Sequence, residues 1–136
     1  MGQIDRLAIF KAVDEAARAK MVEAALEFFS QVKKSGNQYF SNNSVSFIQN
    51  HEDPRAHGYG VALRLTFDNE QGISYYDREC PLHLELKKKG AQLCTEPPLV
   101  VLTRSEETIF GEDIEEGVEP SEVIRKKRAK GASFPN

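Results

Sequence analysis

No apolar stretch in this chain approaches the roughly 18 residues that a membrane-spanning helix needs, so no segment reads as a transmembrane span. Cysteine is scarce, with Cys80 and Cys94 the only two. The first residues, Met1-Gly2-Gln3-Ile4-Asp5-Arg6, run straight into a strand-like segment with no basic region followed by an apolar one. No signal peptide is therefore expected, and the two thiols are expected to stay reduced in the cytoplasm. Arg6 stands where a myristoylation motif would want Ser or Thr. Charge of one sign is lacking as well. The 18 Lys and Arg nearly balance the 21 Asp and Glu, for a net charge of −3. Such a surface has no overall field to draw in nucleic acid or an anionic membrane. P-loop, G-x-S-x-G, CxxC, dinucleotide and haem-attachment motifs are all missing, and so are internal repeats and low-complexity tracts.

What is present is ordinary for one globular domain. Hydrophobic residues make up 40% of the 136 positions and charged residues 29%. A chain of this length buries about two thirds of its unfolded surface and needs neither disulfide nor structural metal to fold. Ile4 to Phe10 is short, mostly apolar and free of breakers, and reads as a strand. Val13, Ala17, Met21, Ala24, Ala25, Phe28, Phe29 and Val32 then recur at three- and four-residue spacings. They predict a helix from Asp14 to Lys34 with one apolar stripe, ended by Ser35-Gly36-Asn37. Asn42 to Gln49 reads as a second strand and His51 to His57 as a loop. From Gly58 to Phe67, Tyr59, Val61, Leu63, Leu65 and Phe67 alternate with small or polar residues, the period of a strand with one apolar face. Asn69 to Arg78 predicts a short helix with Asp68 as its N-cap. Cys80-Pro81 interrupts it, and Leu82 to Cys94 predicts another, with Lys87 to Lys89 in water and Gly90 weakening its middle. Leu99 to Thr103 is a last, very apolar strand after Pro97-Pro98.

The order is β-α-β-β-α-β, the split βαβ arrangement of the ferredoxin-like α+β class. Its four-stranded antiparallel sheet carries helices on one face and leaves the other bare. A face of that size calls for cover, and a twofold partner laying its own sheet against it is the economical solution. A homodimer is therefore expected, over a domain spanning residues 1–104. Residues 105–136 form a charged extension, acidic from Glu106 to Glu122 and basic from Arg125 to Lys130. The basic run reads as a solvated helix end paired with the acids before it, or as a localisation patch.

The run Gly58-Tyr59-Gly60-Val61-Ala62-Leu63-Arg64-Leu65-Thr66-Phe67 resembles the third strand of the stress-responsive dimeric α/β barrel (Dabb) family. Tyr75-Tyr76 and Cys80-Pro81-Leu82-His83 follow at the family's distance, the latter where the family often carries His-Pro-x-His. Arg6 to Lys11 resembles its first strand, which often begins with His. The resemblance covers residues 4 to 104. It implies a dimeric barrel, and its members include plant stress proteins and polyketide cyclases such as the plant olivetolic acid cyclase. In those cyclases a His and a Tyr close a ring by acid/base chemistry. His83 matches the second histidine of the motif, and Tyr75 or Tyr76 the tyrosine. Cys80 replaces the first histidine, and Arg6 (or Asp5) replaces the one in the first strand.

His83 is the leading catalytic candidate, since a neutral imidazole can take a proton from an activated carbon or hydroxyl. The alternative is a helix N-terminal histidine that only binds backbone. Tyr75 and Tyr76 could supply a phenol that polarises a carbonyl, and at least one of them is expected to be structural. Arg6 could anchor a carboxylate or enolate oxygen. Arg64 raises the same question on the face of Gly60, Ala62 and Thr66. For both, the alternative is an ion pair. Phe10, Phe28, Phe47 and Leu86 could wall a substrate cleft or simply fill the core. The loop with His51, Glu52, Asp53 and His57 matches no closed metal motif, and no metal site is expected.

Two functions follow as expectations. One is an enzyme without a cofactor that cyclises, isomerises or decarboxylates an aromatic or polyketide-like substrate, as a lyase or isomerase would. The other is a non-catalytic dimeric barrel that carries a ligand or serves a stress-associated role. An enzyme should keep an open cavity lined by His83 and a tyrosine, whereas a structural protein should fill that space.

Overall fold

The structure is a computed structural model, and it describes residues 2–130. Four strands form one antiparallel sheet in the order β2-β3-β1-β4. They are β1 (Ile4–Phe10), β2 (Ser41–Phe47), β3 (Val61–Phe67) and β4 (Leu99–Arg104). Helices α1 (Glu15–Ser35), α2 (Glu70–Arg78) and α3 (Pro81–Leu93) join them. This is the ferredoxin-like α+β arrangement expected from the sequence, with the second helix broken in two at Cys80-Pro81.

Local chemistry sets the boundaries. The Asp14 carboxylate accepts the Ala17 N–H at 2.8 Å and starts α1. Gly36, at φ 71°, ends it in the left-handed region that favours glycine. Asn69, rather than the expected Asp68, caps α2, because its side-chain oxygen takes the Gly72 N–H at 3.0 Å. Asp68 instead receives the Gln3 side chain. Pro81 opens α3, where its missing N–H costs nothing. Strand β3 begins at Val61 rather than Gly58. His57 (φ 52°) and Gly58 (φ 84°) turn the chain, and Gly60 lets the Arg18 side chain approach and donate to its carbonyl at 3.0 Å.

Strand pairing assigns the faces. Ile4, Ala8 and Phe10 of β1 and Val61, Leu63, Leu65 and Phe67 of β3 point to the helices and are buried. Against them pack Met21, Ala25, Phe28 and Val32 of α1, Ile73 and Tyr76 of α2, and Leu86 of α3. Each such large apolar side chain contributes about 1.5–3 kcal/mol on burial. The other face carries Asp5, Leu7 and Ile9 with their cross-strand neighbours Thr66, Arg64 and Ala62. There Arg64 pairs with Asp5 at 3.0 Å. Burial would raise the Asp5 carboxyl, but hydrogen bonds from Thr66 and Arg64 outweigh it and hold the group below its usual range. Edge strand β4 is exposed on both faces, with Leu99 at 48%, Val100 at 37%, Val101 at 46% and Leu102 at 39%.

Beyond β4 come two 3-10 turns, Ser105–Glu107 and Gly111–Asp113, and helix α4 (Pro120–Lys130). Arg128 meets Glu107 at 3.5 Å, and Arg125 and Lys126 lie near Glu122. The basic run is thus a helix end with acidic partners, and such surface pairs contribute little. The end of the expected extension, 131–136, lies outside the described residues. Among the described residues no helix is long and apolar enough to cross a membrane.

Candidate functional site

Between the sheet and α3 lies a cavity of about 390 Å³. The size falls within the range of small-molecule sites. Arg6, Ala8 and Phe10 of β1, Leu63 of β3 and Tyr76 of α2 line it. His83, Leu86, Lys87, Gly90 and Ala91 line it from α3, and Cys94 to Pro98 complete the rim. The α3 residues recur at three- and four-residue intervals, so one helix face is turned to the cavity.

His83 is 5% exposed. Its Nδ1 lies 2.6 Å from the Tyr76 carbonyl oxygen. A carbonyl can only accept, so Nδ1 carries the proton and Nε2 keeps the lone pair. Burial lowers the His83 pKa to about 4; the bond to the Tyr76 carbonyl opposes this, and the charges of Arg6 and Lys87 reinforce it. The imidazole is therefore neutral at pH 7. Its ring stacks on Tyr76 with centroids 3.6 Å apart and planes 13° from parallel.

Tyr76 is 1% exposed, and its hydroxyl has no hydrogen-bond partner among the described residues. Burial pushes its phenol far up, with the Arg6 charge pulling back only in part. Arg6 is 7% exposed, and its guanidinium carbon sits 4.8 Å from the centre of the Tyr76 ring. One terminal nitrogen donates to Asp77 at 3.0 Å, while Nε is buried without a partner among the described residues. Lys87 Nζ donates to the Asp77 carbonyl at 2.8 Å. Glu96, the acid on the rim, is held by Lys11 at 2.6 Å. The arrangement places a neutral proton acceptor, a neutral phenol and a cation on the walls of an apolar chamber.

The structure brings together His83, Tyr76, Arg6, Phe10 and Leu86. It does not bring the other sequence candidates there. Tyr75 is half-buried and lines a different hollow, of about 450 Å³, with Tyr39, Cys80 and Leu82. Of the adjacent tyrosines, Tyr76 is the one beside His83, because consecutive helix residues diverge by about 100°. Phe28 lies in the core behind the site, its ring centre 6.4 Å from that of His83. Phe47 sits under the Arg18 guanidinium, 4.9 Å from its ring centre, and does not line the cavity. Arg64 is an exposed ion pair on the bare face. His51 reaches Glu15 at 3.3 Å. Among the described residues no group of three or more His, Cys, Asp or Glu could hold a metal ion. Cys80 is buried, while Cys94 is half-buried at the cavity rim, its thiol pushed up by burial.

Sequence reasoning passed over Asp77 and placed Lys87 in water; Lys87 is exposed but also lines the cavity. The signal for Lys87 was available, since it stands four residues after His83 on the same helix face. Asp77 carried none, because only the fold brings it to Arg6.

The geometry is that of a largely apolar cavity in a ferredoxin-like α+β protein, and comparison with known proteins agrees on the fold. A protein from Jannaschia described as a dimeric ferredoxin-like protein of unknown function superposes with a TM-score of 0.62 at 16% identity, over 75% of this chain and 98% of that one. A Caulobacter crescentus protein provisionally assigned as an antibiotic biosynthesis monooxygenase gives 0.61 at 12% identity, over 76% and 90%. Hydroxynitrile lyase from Passiflora edulis gives 0.57 at 14% identity, over 80% and 98%. Among curated sequences, a Gibberella zeae protein described as a fusaristatin A biosynthesis cluster protein is 21% identical over 106 residues, 78% of this chain and 75% of that one. No family model matches the chain.

Proposed function

We propose that this protein is a small-molecule enzyme that works by acid/base chemistry without a cofactor, on an aromatic or polyketide-like substrate held in the His83 cavity. The carrying observation is the tautomer of His83. Its Nδ1 proton is committed to the Tyr76 carbonyl, which leaves the Nε2 lone pair as the proton acceptor of the chamber. Low basicity restricts it to activated protons, such as those on carbon beside a carbonyl. Arg6 and the Tyr76 hydroxyl would steady the oxygen on which the resulting charge collects. Phe10 and Leu86 would hold the apolar body. Ring closure, isomerisation and decarboxylation all pass through such an enolate. A relative described by its biosynthesis cluster and a fold neighbour that is a lyase support a small-molecule role.

The protein would act as a homodimer. Leu7, Leu99 and Val101 expose an apolar patch on the bare sheet face, and fold neighbours are described as dimeric.

A second reading, a ligand carrier without chemistry, is favoured by the depth at which the Tyr76 hydroxyl is buried. Deuterium exchange separates the two. β-Keto acids and aryl ketones are incubated with the protein in D2O, and exchange beside the carbonyl is followed by NMR. An enzyme should accelerate exchange, and His83→Asn should return it to the buffer rate. Binding without acceleration would make the protein a carrier.

A further inference from the structure

Two buried donors on residues that line this cavity, the Nε of Arg6 and the hydroxyl of Tyr76, have no partner among the described residues. A buried polar group left unpaired costs about 1–3 kcal/mol, and here two such groups belong to side chains in cation–π contact. Both residues are more than nine-tenths buried and both line the cavity.

The charges around the cavity point the same way. Among the described residues that line it, Arg6 and Lys87 are the cations and Glu96 is the carboxylate. Glu96 is neutralised from outside by Lys11. Asp77 offsets Arg6 from one side, through a single oxygen and a single terminal nitrogen. The Lys87 ammonium donates to the backbone carbonyl of Asp77, and it forms no ion pair among the described residues. The cavity thus has donors and positive charge to spare, in walls that are otherwise apolar.

We infer that the natural ligand is a carboxylic acid with an apolar body, bound as its anion with the carboxylate on Arg6 and Tyr76. A carboxylate supplies acceptor lone pairs without donors, which matches an Nε–H and an O–H that both lack acceptors. The apolar remainder lies along Phe10, Leu63 and Leu86, and Lys87 adds to the attraction from the α3 side. This deepens the function proposed above and rests on the same cavity, but it makes a separate claim about charge.

The test uses four simple acids, phenylacetate, 3-phenylpropionate, hexanoate and octanoate, each beside its methyl ester and primary amide. Affinities are measured by calorimetry at pH 7 on the whole chain. The expected result is that the acids bind at least tenfold more tightly than their esters and amides. Arg6→Gln should erase that preference. Tyr76→Phe, which keeps the ring and its stacking, should weaken the acids about fivefold and leave the amides unchanged. Asp77→Asn should keep or strengthen acid binding, because it removes only the competing anion. Esters and amides that bind as well as acids would overturn the inference and leave the acid/base reading standing. An acid preference that survives both Arg6→Gln and Tyr76→Phe would also overturn it, since the anion would then sit elsewhere. Failure of all twelve compounds to bind would overturn both.

Discussion

Lowering the pH should unfold this protein earlier than its carboxylates require, and His83 is the reason. In the native state its pKa is lowered to about 4 from 6.5, chiefly by burial. At pH 7.5 the imidazole is neutral in both native and unfolded chains, so its stabilising contribution is fully present. As the pH falls below 6.5 the unfolded chain takes up a proton that the native protein refuses, and stability drops. Each unit of pKa difference corresponds to about 1.4 kcal/mol. The loss from this group alone should reach about 2 kcal/mol at pH 5. It should level off near 3 kcal/mol below pH 4, where both states are protonated. Urea unfolding at fixed protein concentration, followed from pH 7.5 to 5, measures it. His83→Asn retains an N–H for the Tyr76 carbonyl but cannot titrate. The wild-type curve should therefore converge on that of the variant by about 2 kcal/mol over this window. Asp5, Glu15 and Glu70, whose pKa values are lowered in the fold, lose their contributions at lower pH and are shared by both proteins. Parallel curves between pH 7.5 and 5 would show that the imidazole titrates normally and that its burial is not as described.

Other substitutions probe the neighbouring features. Tyr76→Phe removes an unpartnered buried hydroxyl and keeps the ring on His83, so chemical denaturation should show it about 1 kcal/mol more stable than wild type. A loss of stability would mean that the hydroxyl is hydrogen-bonded. Gly90→Ala should raise the melting temperature, because helix propensity improves by about 1 kcal/mol. The added methyl meets Met21 at an ordinary 3.7 Å. It also intrudes on the cavity wall, so ligand affinity should fall in the same variant. Leu7→Asp combined with Val101→Asp puts like charges on neighbouring strands of the bare face, and light scattering should show a dimer for the wild type and a monomer for the variant. An unchanged mass would place the interface elsewhere.

Most of the architecture was already present in local patterns. The period-two run from Val61 to Phe67 and the apolar stripe from Ala17 to Val32 each depend only on which side of one element meets water, and that repeats along the chain. Gly36 and Pro81 marked their helix ends because backbone conformation at those positions is restricted by single residues. The Asn69 cap was misplaced by one residue, since Asp68 and Asn69 have the same capping chemistry and only the path from β3 decides between them. The site divided along similar lines. His83, the tyrosine pair and Arg6 were legible as residue types suited to proton transfer and oxygen binding. Their meeting was not, because Arg6 and Asp77 lie on different elements, 71 residues apart. The choice of Tyr76 over Tyr75, the removal of Phe28 and Phe47 from the cavity wall and the tautomer of His83 likewise depended on tertiary structure. Each is set by a contact between elements whose relative placement comes from packing, and packing is decided by the whole core rather than by any segment of the chain.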